Sequence, residues 1–261
     1  MILILIGILG LCYGSFINVL VYRIPNNISI IFPGSFCPKC KNSIPFYRNI
    51  PILSYFIQLA KCHNCKDKIS IQYPLIELIT SLSWIYFYIN MNNDTIELTF
   101  SILMISFLIP LALIDLKHMF FPISLIMPLI FLSITFSLVQ FYYFDNFESL
   151  LGAAISITFL SSTYLLVKLW FKYKNSKKTP MGFGDFLLII PLGIWVGPLG
   201  ILTSIFLASL IALLVWIILN SLNLFELGKK MPFGPYLVIS TTLIKALDIT
   251  NLIPGVIFQI V

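Results

Sequence analysis

Residues 96–115 read IELTFSILMISFLIPLALID, and between Glu97 and Asp115 no charged residue interrupts the run. A helix needs about 20 mostly apolar residues to cross the hydrocarbon core of a bilayer, so this stretch predicts a membrane span that ends on a carboxylate. Comparable runs lie at Met1–Val21, Leu75–Ile89, Phe120–Phe144, Leu150–Phe171, Phe186–Val196, Leu199–Leu219 and Phe233–Ile249, each bounded by polar or Pro/Gly punctuation. The expected fold is an all-α polytopic membrane protein with about eight transmembrane segments. The run at Phe186–Val196 is short and is followed by Gly197-Pro198, which suggests a broken or partly re-entrant helix packed inside protein.

Composition agrees with that reading. The chain has 261 residues, 59% hydrophobic and only 10% charged, with a mean hydropathy of +1.00. A soluble domain carries about a quarter charged residues, and the few present here cannot cover a water-exposed surface. A cytosolic enzyme, a secreted disulfide scaffold and a disordered chain are thereby excluded. The net charge of +6 is read as orientation rather than as a nucleic-acid footprint, because in a membrane protein Lys and Arg mark the cytoplasmic loops.

Threading the segments puts fifteen of the sixteen basic residues on one side: Arg23 to Lys68, Lys117, Lys168 to Lys178, and Lys229 with Lys230. The opposite loops, Asn90–Thr95 and Tyr142–Glu148, hold none. By the positive-inside rule the basic side is the cytoplasm. The first run has no basic residue before it and Arg23 after it, the reverse of a cleavable signal peptide, so a retained span with its N-terminus outside is expected. Three divisions follow: a first transmembrane helix at 1–22, a cytoplasmic cysteine-containing domain at 23–74, and a transmembrane domain at 75–261.

The cytoplasmic domain contains Cys37-Pro-Lys-Cys40 and Cys62-His-Asn-Cys65, two CxxC knuckles separated by 21 residues. Paired knuckles are the pattern of a four-thiolate zinc site, with a gap just beyond the usual range. A domain this small lacks a core sufficient to fold alone, and bound Zn2+ would supply folding energy directly. Two disulfides are the alternative, disfavoured by a reducing cytoplasm. Four thiolates leave no open coordination position, which makes the metal structural. His63 is read as a bystander in its turn, and Cys12 as a small buried apolar group.

Most of the ten acidic residues fall in loops or near span ends, where solvent accounts for them. Asp115 ends the third span and Asp185 opens the sixth, in Gly182-Phe183-Gly184-Asp185, both at the cytoplasmic boundary. Ionisable groups at that depth are functional candidates. Asp185 has the alternative of an N-cap, and Asp115 that of an anchor pairing with Lys117 or Arg23. As a pair, the two carboxyls suit aspartic-protease chemistry, one protonated while the other removes a proton from water. Gly182 and Gly184 would allow a positive φ or a close approach of substrate backbone. The helix macrodipole favours the anion on Asp185 at an N-terminus and disfavours it on Asp115 at a C-terminus, making Asp185 the base and Asp115 the acid.

Taken together, these motifs resemble the bacterial prepilin peptidases, or type IV leader peptidases, of the GxGD membrane aspartic protease class. Gly14-Ser15-Phe16-Ile17-Asn18-Val19 with Arg23-Ile24-Pro25 resembles the family's opening motif; Asn49-Ile50-Pro51, Tyr73-Pro74 and Glu77 surround the cysteines as in its two-activity members. Asp115 and Gly182 to Asp185 match the catalytic motifs, and Pro232-Phe233-Gly234-Pro235 the C-terminal signature. The resemblance implies catalytic Asp115 and Asp185, and substrate contacts from Gly182, Gly184, Asn18 and Arg23. It also implies removal of the basic leader of type IV prepilins or type II secretion pseudopilins after a glycine, at the inner membrane's cytoplasmic face. N-methylation of the new terminus with S-adenosylmethionine would follow. No glycine-rich loop marks the methyl donor's site. On physical grounds alone, Gly10 and Gly14 form a small-residue helix face, and Pro232 to Pro235 a turn that starts the final span.

Ile123 and Leu187 stand where relatives often carry Asp and Lys, an ion pair expected to be replaced here by an apolar contact. Both the cytoplasmic face and a typical leader are basic, so the basic loops are assigned to anionic lipid headgroups and the substrate's apolar segment is expected to enter from the bilayer. Two other classes compete: a small ion-coupled transporter with a zinc-stabilised module, and a peptidase lacking methylation. The transporter predicts midplane charges and symmetric halves, neither of which is evident.

Overall fold

The computed structural model describes residues 1–91, 93–174, 182–222 and 231–247. Among them are eight α-helices: α1 (Ile2–Arg23), α2 (Leu53–Ile57), α3 (Gln72–Met91), α4 (Thr95–His118), α5 (Ile123–Phe144), α6 (Glu148–Tyr173), α7 (Phe183–Ser221) and α8 (Gly234–Ala246). Five of these, α1, α4, α5, α6 and α7, are long and apolar enough to cross a membrane. The runs expected at Phe186–Val196 and Leu199–Leu219 form one helix, α7, interrupted at Gly197, whose φ of 72° and ψ of −175° are non-helical. Only glycine takes that conformation readily, and Pro198 then restarts the helix where its missing N–H costs nothing. The last expected run is α8 as far as it is described; Asp248 and Ile249 lie outside the described residues.

The chain forms two compact units, Met1–Pro110 and Leu111–Val261, with the boundary inside α4 at Pro110. In the first unit α1 packs on α3. The contact needs small residues: a Cβ on Gly10 would stand 2.7 Å from Ser81 Cα, and one on Gly14 would stand 2.6 Å from Glu77 Cα. Ser81 Oγ donates to Gly7 O at 2.8 Å across the same seam. Without a hydrophobic drive between helices in lipid, such backbone approach and interhelical hydrogen bonds hold the pair. Gly10→Leu should therefore destabilise the detergent-solubilised protein by about 1–3 kcal/mol, read as a lowered melting temperature; an unchanged melt would contradict this packing. Cys12, expected to be buried, is exposed on α1.

In the second unit α7 packs against α6, α8 and α5. The α6–α7 crossing again uses glycines, since a Cβ on Gly193 would stand 2.6 Å from Gly152 O and 2.7 Å from Ser156 Oγ. Leu188, Ile189 and Leu192 are fully or almost fully buried there. This packing anchors the N-terminal half of α7, whose first turn carries Asp185. Ile123 is 68% exposed at the start of α5, and Leu187 is half-buried on α7.

Candidate active site and cysteine centre

Asp115 lies in the last turn of α4 and is buried, 5% exposed. Its Oδ2 accepts a hydrogen bond from the backbone N–H of Gly234, at 3.2 Å, at the N-terminus of α8. Asp185 sits in the first turn of α7, where its N–H donates to Gly182 O at 3.2 Å. Both carboxyls belong to the second unit, on helices distant in sequence. The Pro232-Phe233-Gly234-Pro235 run, read as a turn from the sequence, leads into α8 and sets Gly234 against Asp115.

Phe121 joins the parts. A Cβ on Gly184 would stand 2.6 Å from Phe121 Cδ2, and one on Gly234 would strike Phe121 Cζ and stand 2.7 Å from Asp115 Oδ2. Close approach, rather than a positive φ, is thus what Gly184 contributes. Gly182, with φ −77° and ψ 146°, is ordinary extended backbone, and a Cβ there would meet only Asp185 Oδ2 at 3.4 Å, an ordinary contact. No sequence signal singled out Phe121, because an aromatic after a span is common. Gly234→Ala should push the Phe121 ring or the Asp115 carboxyl aside and slow cleavage by about 10–100-fold, measured as the initial rate on a prepilin; a rate equal to that of the unaltered protein would contradict this role for the glycine.

Asn18 and Arg23, the other expected substrate contacts, belong to the first unit, on α1. Both are buried, at 5% and 4% exposure. Asn18 Nδ2 donates to Gly14 O and Tyr73 O, each at 3.2 Å. Arg23 donates to Ser29 O and Gly34 O, each at 2.8 Å, and lies over the Phe36 ring.

The four cysteines Cys37, Cys40, Cys62 and Cys65 form one cluster, their sulfurs all within 4.8 Å of one another. Both knuckles fold alike: Cys37 N–H bonds Asn42 O and Cys62 N–H bonds Asp67 O, while Lys41 N–H returns to Cys37 O and Lys66 N–H to Cys62 O. Lys41 and Lys66 both take a φ of 59°. All four thiols are free, with Cys37 and Cys65 sulfurs 3.9 Å apart, nearly twice a disulfide bond length of about 2.05 Å. Bonds of about 2.3 Å from a central ion to four tetrahedral sulfurs require just such sulfur separations, so the donor set fits a four-coordinate zinc. The backbone N–H of Asn42 stabilises the Cys40 thiolate and brings its pKa down to about 6, whereas hydrogen bonding among the crowded sulfurs helps push Cys65 up to about 11, so without a cation the four do not ionise together. His63 stands outside the quartet, its pKa lowered first by the charge of Arg48. An exposed Lys39–Asp67 ion pair, at 2.8 Å, links the knuckles, with solvent screening most of its attraction.

The chain is similar to known proteins along most of its length. A family model of the bacterial peptidase A24 N-terminal domain matches residues 8–91, and one of the type IV leader peptidase family matches residues 102–217. A prepilin leader peptidase/N-methyltransferase of Neisseria gonorrhoeae is 34% identical over 267 residues, covering 90% of this chain and 87% of that one. The protein of the same name from Pseudomonas aeruginosa is 32% identical over 262 residues, covering 89% and 86%. No solved structure matches.

Proposed function

The chain belongs to the type IV leader peptidase family, and from that premise we propose that it is a prepilin leader peptidase and N-methyltransferase whose peptidase centre is the Asp115–Asp185 pair. The observation that carries the reading is the Phe121 ring, against which both Gly184, next to Asp185, and Gly234, whose N–H bonds Asp115, lie closely. One carboxylate removes a proton from a water, the water oxygen attacks the scissile carbonyl, and the protonated partner donates to the carbonyl oxygen. Collapse of the tetrahedral adduct returns a proton to the leaving amine. Asp185 is the base, because the N-terminus of α7 favours its anion. At Asp115 the C-terminus of α4 and the N-terminus of α8 oppose one another, which leaves it the better proton holder.

The substrates are type IV prepilins or type II secretion pseudopilins, whose apolar segment enters from the bilayer; lipids rather than nucleic acid face the basic loops. Counting α7 as two segments about Gly197, the helices α1 and α3 to α8 provide eight crossings of the bacterial inner membrane. The N-terminus lies outside, with the cysteine domain and the aspartates at the cytoplasmic face. Residues 1–22 are the first span, 23–74 the metal-binding domain and 75–261 the peptidase domain. Gly182, Gly184, Asn18 and Arg23 are held as substrate contacts. Cys37, Cys40, Cys62 and Cys65 would hold a structural Zn2+, whose chemistry is to cross-link the two knuckles.

The test is incubation of the purified protein with a prepilin, with and without S-adenosylmethionine, followed by intact-mass analysis. Loss of the leader in both reactions and one added methyl group only with the donor is expected. An untouched prepilin would refute the reading.

A further inference from the structure

The packing of α1 on α3 fixes where the cysteine domain stands. Gly10 lies against Ser81 and Gly14 against Glu77, so the two helices run antiparallel, and Arg23 and Gln72 leave the pair at the same end. The segment between them carries both knuckles and is tethered at each of its ends to one edge of the bilayer.

Around the second knuckle this domain has a pocket of about 440 Å3, lined by Tyr47, Arg48, Ile57, Leu59, Lys61 and Lys66 beside Cys62 and His63. Its walls have two kinds of chemistry. Three of them are cations, and among the described residues no acidic side chain lines the pocket. The Lys39–Asp67 ion pair uses none of the three, and the Arg48 guanidinium lies over the Tyr47 ring at 5.5 Å. Like charges gathered in one place repel one another. The remaining walls are apolar yet open to the outside, with Ile57 79% and Leu59 80% exposed.

Scattered apolar side chains on a surface are common and need no explanation. Here, however, the backbone enforces the exposure. After α2 the chain turns through Leu59 at φ 51° and Ala60 at φ 56°, with the Leu59 N–H bonding Phe56 O and the Ala60 N–H returning to Tyr55 O. Glycine or asparagine is the usual residue at a left-handed helix end. A leucine held in that unfavourable conformation, with its side chain turned out beside three unpaired cations, suits a face that something outside the chain covers.

That occupant must offer anions and apolar mass together. A second copy docked face to face would set cations against cations, which disfavours it. A bilayer surface offers phosphates with acyl chains directly beneath them, and the two tethers already hold the domain there. We propose that this face of the cysteine domain seats on anionic phospholipids, with Arg48, Lys61 and Lys66 against headgroup phosphates and Ile57 and Leu59 among the upper acyl carbons. The proposal rests on the membrane reading above, which gives the basic loops to lipid in general; it adds a defined face, and with it a domain whose position depends on the charge of the bilayer.

The test uses the full-length protein in nanodiscs of phosphatidylcholine, with and without phosphatidylglycerol, read by amide hydrogen exchange. Phosphatidylglycerol should slow exchange across residues 53–61 by at least about tenfold, and inorganic phosphate added to the phosphatidylcholine discs should not. Arg48→Gln/Lys61→Gln/Lys66→Gln should lose this protection. Leu59→Asn should lose most of it while melting no lower in detergent, because asparagine tolerates the left-handed backbone better than leucine. Should the triple variant melt lower than the unaltered protein, Leu59→Asn decides. Equal exchange in the two lipids, protection that survives the substitutions, or protection supplied by inorganic phosphate alone would overturn the proposal. So would self-association in detergent that Leu59→Asn abolishes, which would give the face to a second copy. Free exchange across residues 75–89 in both nanodiscs would instead refute α3 as a membrane span, and with it the reading on which the proposal stands.

Discussion

Replacing Asp115 or Asp185 with asparagine is expected to slow leader removal by about three orders of magnitude or more, because general acid–base steps contribute about 10²–10⁴-fold and a coupled pair fails as a unit. Asparagine keeps the shape and can still accept the Gly234 N–H at position 115, so folding should survive. For the same reason the Asp115→Asn/Asp185→Asn double variant should be no slower than the worse single one. Single-turnover rates on a prepilin check both statements. Normal cleavage by both single variants would end the peptidase assignment.

Removal of the metal should have the second largest effect. The cysteine domain has two isolated β-bridges, a single five-residue helix and an exposed ion pair to hold it, while a structural zinc contributes on the order of 10 kcal/mol of apparent binding free energy. Chelation, or Cys62→Ser, should therefore unfold residues between Arg23 and Tyr73, seen as rapid amide exchange and new protease cuts there. Methylation should fall with the loss of this fold, to under about a tenth, with cleavage less affected. Stoichiometric zinc in the purified protein, measured by mass spectrometry, accompanies this expectation. If metal removal leaves exchange, methylation and cleavage unchanged, the cysteine quartet has no structural role.

Much of this architecture is legible in the sequence, for physical reasons. A bilayer demands long apolar runs, so α1, α4, α5 and α6 stand out by composition alone. Two knuckles fix four sulfurs through local backbone geometry, so Cys37, Cys40, Cys62 and Cys65 are readable from spacing. The aspartates are readable because a carboxylate at a membrane boundary is costly. What spacing does not encode is the close approach of distant segments. Phe121 became part of the site only because Gly184 and Gly234 lack side chains that would exclude its ring. Glu77, quoted in a motif and otherwise explained by a span end, becomes a buried acceptor for the distant Ile52 N–H only in the folded chain. Likewise the break at Gly197 is a conformational choice, which ends one helical segment of α7 and lets the next begin.

The central claim is that Asp115 and Asp185 act on one scissile bond. Its most direct measurement is an experimentally determined structure with a prepilin-derived peptide whose scissile amide is replaced by a hydroxyl-bearing tetrahedral isostere. The hydroxyl should lie within hydrogen-bonding distance of both carboxyls, beside the Gly234 N–H. A hydroxyl bound by only one of them, or a peptide seated elsewhere with the two side chains unable to reach a common atom, would contradict the mechanism.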